Sequence, residues 1–137
     1  MRTLFSLLFL LFATPLLAAP QTYPPATVNV KAVKLAEHSY FIPGLAGAAS
    51  TKNQGFMSNA GFVVTPAGVV VFDTLGSPSL AQAMLKRIRE VTKQPIKRVI
   101  ISHYHADHFY GIHALRAAGA EIWAPAAARA YLYSEAA

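Results

Sequence analysis

The segment Ser102-His103-Tyr104-His105-Ala106-Asp107-His108 packs three imidazoles and a carboxylate into six residues, and four of the five histidines of the chain fall between positions 103 and 113. Neutral imidazole and carboxylate suit zinc, with manganese or iron as alternatives. The chain has no cysteine, which excludes a thiolate nucleophile and any cysteine metal site. His103 and His105 stand two apart. In extended backbone they turn to the same side and can reach one ion. Asp107 and His108 come from the turn into a following helix, so their different directions favour a second metal position. A pair of ions can hold a hydroxide as nucleophile and polarise the bond under attack. Asp107 is therefore a candidate both as ligand and as the catalytic group that orients the water. The brevity of the cluster, inside structured sequence, argues against a histidine-rich storage tract. His113 reads as a surface or supporting residue, and His38, without a local partner, as an ordinary one.

These residues need elements to hold them. Residues 98–102 are a short apolar strand that ends at the cluster, and a helix beginning near Asp107 or Phe109 and ending before Gly119 follows it. Upstream, residues 62–65 and 69–72 read as two strands joined by the tight turn Pro66-Ala67-Gly68. Their continuous valines suggest strands buried on both faces. Ser77 and Pro78 mark a helix start as cap and first helical position. Leu80, Met84, Ile88 and Val91 then recur at helical spacing, while Lys86, Arg87, Arg89 and Glu90 mostly face water. Residues 27–35 give a weak strand, 44–61 a Gly- and Ser-rich loop, 122–123 a further short strand and 125–134 a helix. This order predicts an α/β fold, a sheet covered by helices.

The N-terminal residues lie outside that fold. Arg2, the apolar run 4–12 and the small residues Ala18 and Ala19 have the form of a secretory signal over 1–19. Residues 20–27 form a Pro-rich extended leader, and 28–137 the domain. The apolar run is shorter than the roughly 20 residues needed to span a bilayer. No stable membrane span is expected after signal cleavage, and the product is expected in the periplasm or secreted. The chain of 137 residues carries a formal charge of +6. Its Lys and Arg residues are dispersed and no aromatic platform interleaves with them, which argues against nucleic acid or membrane as the partner. Lys86, Arg87 and Arg89 read as a solvated helix face.

The segment His103-Tyr104-His105-Ala106-Asp107-His108 resembles the His-x-His-x-Asp-His signature of the metallo-β-lactamase superfamily. Residues 59–65, the strand 69–72 and Asp73-Thr74-Leu75-Gly76 resemble that family's early hairpin and its Asp-Thr-Gly corner. The likeness covers roughly residues 30–135. It implies a first zinc on His103 and His105, a second on Asp107 and His108, and a supporting role for Asp73, which holds the metal loop by hydrogen bonds without ligating. Leu75 interrupts the usual Asp-Thr-Gly, and Tyr110-Gly111 replaces the common Gly-Gly after the hexad. Residues 40–44 and 53–59 also resemble exported members found near sulfur-oxidation and quinoprotein systems.

Family domains are two similar sheet-and-helix halves. The resemblance implies that this chain is the first half of an αββα sandwich, a mixed sheet with covering helices, truncated at Ala137. A catalytic zinc typically takes three protein ligands plus water, and His103 with His105 supplies two. The implied function is a zinc-dependent hydrolase with a metal-bound hydroxide as nucleophile and a small-molecule substrate, inactive or weakly active while incomplete. The alternatives are a non-catalytic zinc-binding or assembly module, or a β-lactamase proper. A half-sandwich also leaves apolar sheet surface uncovered, so self-association is expected.

Overall fold

Thr65 and Gly68 close a tight turn, where the Thr65 hydroxyl donates to the Gly68 carbonyl at 2.7 Å. Gly68 has φ +128° and its backbone presses on Pro95, where an added Cβ would sit 2.8 Å from the carbonyl oxygen, so glycine is required. The turn joins two strands of a six-stranded sheet in a computed structural model that describes residues 22–132. The elements in chain order are β1 (Val33–Lys34), β2 (Ser39–Ile42), β3 (Ala60–Thr65), β4 (Gly68–Phe72), α1 (Pro78–Val91), β5 (Ile96–Ile100), α2 (Ala106–Phe109), α3 (Ile112–Ala117), β6 (Glu121–Trp123) and α4 (Ala127–Leu132).

The sheet runs β1-β2-β3-β4-β5-β6. The first four strands form an antiparallel meander, and β4, β5 and β6 are parallel. Two successive crossovers in one direction, each right-handed by the usual rule, place α1 and α3 on the same face. Ser77 caps α1, its side chain accepting from the Leu80 N–H, with Pro78 in the first turn. Leu80, Met84 and Ile88 are fully buried against Phe62, Val71 and Val99, each contributing roughly 1.5–3 kcal/mol relative to exposure.

With both helices on one side, the opposite face of the sheet stays open. Val63 and Val70, which pair across β3 and β4, are only half-buried, and Phe72 and Trp123 are 44% and 47% exposed. The valine-rich hairpin is thus buried on one face, not on both. The mixed sheet flanked by helices is the architecture of the first half of an αββα sandwich.

Three other expectations are corrected. The strand expected over 27–35 shrinks to Val33–Lys34, because the Thr27 and Val28 N–H groups donate to the Gln54 side chain (2.9 and 3.4 Å) and Val30 is buried without joining a ladder. The next strand, β2, lies in a segment with no clear alternation. The single helix expected after the histidines is two short ones. It breaks at Gly111, whose N–H turns to the Leu75 carbonyl at 3.1 Å. Val91, expected on the core stripe of α1, is 38% exposed in its last turn. The signal expected over 1–19 lies outside the described residues. Among the described residues no helix is long and apolar enough to cross a membrane.

Candidate metal centre

The parallel strands β4 and β5 end side by side, and chain ends at the C-terminal edge of such strands are where α/β sheets place ligands. One residue past β4, the Asp73 N–H donates to the Ile100 carbonyl at 2.9 Å, which locks the two strand ends in register. The backbone then turns through left-handed φ values at Asp73 (+60°) and Leu75 (+66°). Leu75 occupies, with a buried side chain, a conformation that glycine would adopt without strain.

That turn aims the Asp73 carboxylate at the segment following β5. One oxygen accepts the Ser102 N–H at 2.7 Å, and the other accepts both the Ser102 hydroxyl and His108 Nδ1, each at 2.7 Å. The hydrogen bond fixes the proton of His108 on Nδ1 and leaves Nε2 free to donate its lone pair to a metal. His108 Nε2 stands 3.6 Å from Asp107 Oδ2. That is close to the ~3.3 Å between two donors on one tetrahedral zinc at ordinary bond lengths.

The corner is tied to the metal loop again one residue on. Thr74 donates to the His108 carbonyl from its N–H (2.7 Å) and its hydroxyl (3.2 Å). On the other side the buried Ser58 donates its hydroxyl to the Asp107 carbonyl. Gly76 completes the clamp, since a Cβ there would lie 2.8 Å from the Gly55 carbonyl and 3.4 Å from the Asp107 Cα.

The three hexad imidazoles meet within this frame. His103 lies edge-on to His105 with ring centroids 4.6 Å apart, and against His108 at 4.1 Å. Ser102 Oγ contacts His103 Nδ1 at 2.9 Å, which again leaves Nε2 outward. His105, in extended backbone (φ −68°, ψ 136°), precedes α2, which carries Asp107 and His108. Asp73, His103, His105, Asp107 and His108 are thus gathered in one place. His38 and His113 are exposed and lie apart from them, His38 beside Glu37 at 3.6 Å.

The donor types and the freed Nε2 atoms fit a metal in pairs. The described residues hold no group of three or more His, Cys, Asp or Glu side chains placed to hold one ion together. Ser58, Ser102 and Thr74 brace the loop but carry no ligand chemistry. The sequence reading named Ser102 and Thr74 only as neighbours of the histidines and of Asp73, without a bracing role, and missed Ser58. Ser58, 49 residues from its partner, gave no signal.

Comparison with known proteins agrees with the geometry. Residues 53–136 match the family model described as the metallo-beta-lactamase superfamily. A linear primary-alkylsulfatase of Pseudomonas sp. (strain ATCC 19151) is 31% identical over 52 residues, which are 38% of this chain and 10% of that protein. A metallo-beta-lactamase structure from Hirschia baltica superposes with TM-score 0.62 at 20% identity, over 74% of this chain and 46% of its own. Those from Erythrobacter litoralis (0.60, 23%) and Pontibacter korlensis (0.62, 21%) cover 74% and 72% of this chain and 43% and 45% of theirs. The chain spans under half the length of these structures and about a tenth of the alkylsulfatase. The family model covers the corner at Asp73, the whole histidine loop and the helices that carry them, and on that match the chain belongs to the metallo-β-lactamase superfamily.

Proposed function

We propose that this chain supplies the first half of the active site of an exported zinc-dependent hydrolase, with His103 and His105 toward one ion and Asp107 and His108 toward a second. The observation that carries the reading is the Asp73 carboxylate holding His108 Nδ1 and Ser102 together, so that the segment following β5 and helix α2 share one rigid frame. When bound, zinc would supply Lewis-acid polarisation of the scissile bond and activation of water. This chain's own residues then orient and hold. Asp73 fixes the tautomer of His108, Ser102 sets the ring of His103, and Asp107 presents a carboxylate able to accept a proton from water. The periplasm or the extracellular space is the proposed location.

The test uses the complete product of the natural gene. Hydrolysis is measured across alkyl sulfates, β-lactams, lactones, thioesters and phosphodiesters, with and without prior removal of metal by a chelator. The reading predicts zinc-restored turnover of one class, lost more than about 100-fold in His105→Ala, beyond the 10–100-fold typical of outer-shell changes. Turnover untouched by chelator would overturn it. A second reading, a non-catalytic zinc-binding or assembly module, rests on the donor arithmetic, with His103 and His105 giving two ligands where a catalytic zinc takes three from the protein. It predicts zinc binding with no turnover of any class.

A further inference from the structure

Lys86, Arg89 and Lys93 read along the sequence as part of a dispersed positive charge, but folding sets them on one stripe of α1 and the segment just after it. They form the rim of a groove of about 750 Å³ between α1 and α3, joined from α3 by His113. The groove floor includes the buried side chains of Leu85 and Ala114. The acidic residue lining it, Glu90, is engaged by Arg87 at 2.8 Å. Among the described residues no carboxylate pairs with Lys86, Arg89 or Lys93, and Lys93 Nζ donates to the Arg89 carbonyl at 2.9 Å. The cationic rim is therefore uncompensated over an apolar floor.

We infer that this groove is a docking surface for an anionic phospholipid bilayer. The three cations are spread along the last two turns of α1 and the segment just after it, an arrangement that can face more than one lipid headgroup. The apolar floor accepts glycerol and upper acyl carbons, as it would not a hydrated free ion. The groove belongs to the helical layer, away from the open sheet face. A partner covering that face would leave it free, and the inference does not depend on the metal reading.

The test is partition of the full chain onto phosphatidylglycerol-containing vesicles against pure phosphatidylcholine vesicles, read as the ratio of the two, so that apolar insertion common to both cancels. Each cation near a charged surface contributes about fivefold. Lys86→Gln, Arg89→Gln and Lys93→Gln together are expected to lower the ratio tenfold or more, and 0.5 M salt to abolish the preference. A control combining Lys31→Gln, Lys34→Gln and Lys97→Gln, all exposed and equal in net charge, is expected to stay within about threefold of the parent, with circular dichroism confirming that both variants fold. Equal losses in the two variants, or none in either, would overturn the inference. So would displacement from the groove by millimolar inorganic phosphate without any preference for phosphatidylglycerol, which would assign it to a soluble oxyanion.

Discussion

Asp73 is the residue on which the candidate site turns, because a single carboxylate accepts three hydrogen bonds from the far side of the β4–β5 junction. Asn tolerates the left-handed backbone there but replaces one acceptor oxygen with a donor. Asp73→Asn is expected to cost about 1–3 kcal/mol in urea unfolding. It should also weaken zinc about 10–100-fold in a chelator competition, through His108. A variant with unchanged zinc affinity would show that Asp73 braces only the fold. At this scale the cluster itself was legible in the sequence, since three imidazoles and a carboxylate fall within six residues. The bracing residues were not legible, because Ser58 and Thr74 reach main-chain carbonyls, and any sequence offers those everywhere. Leu75 gave its departure from the family corner openly. Its meaning, a leucine held at φ +66° by burial, needed the backbone.

At the scale of elements, α1 was readable from Ser77 to its apolar stripe, because cap, proline and periodicity agree. The break between α2 and α3 was not, because it is imposed from outside. A Cβ on Gly111 would lie 2.0 Å from the Thr74 carbonyl oxygen and 2.6 Å from the Ala81 Cβ. Gly111→Ala is therefore expected to destabilise by about 1–3 kcal/mol or more despite the better helix propensity of alanine. A neutral or stabilising result in thermal unfolding would mean that the two helices can separate from the corner without cost. On the edge strand β6, the Glu121 carboxyl is held below its ordinary value by its hydrogen bond with Trp123 and then by Arg98, whose guanidinium also stacks 3.6 Å over the Trp123 ring. A lowered folded value means that this contribution is present above the unfolded value and is lost as pH falls through the folded one. Fluorescence of Trp123, the single tryptophan, should accordingly change in acid below pH 4.5, and Glu121→Gln should flatten that change.

At the scale of the molecule, the sheet covers one face with helices and leaves Phe72 and Trp123 exposed on the other. Apolar sheet surface of this kind drives association. Sedimentation should show concentration-dependent oligomers of this chain, reduced by Phe72→Glu; a monomer at all concentrations would mean that the face is tolerated in water. The order of elements alone made a sheet covered by helices legible, and the half-sandwich was legible only through the family resemblance. The basic groove was not, because its rim joins α1 and Lys93 just beyond it to His113 on α3, and only packing brings them together. If the hexad is half of a two-ion site, the zinc content and mass of the protein expressed from the natural gene with its downstream DNA will show it. A product near twice this length with about two zinc ions per chain is expected, and about one after His103→Ala with His105→Ala. A folded product without zinc, or one whose zinc is unchanged in that double variant, would contradict it.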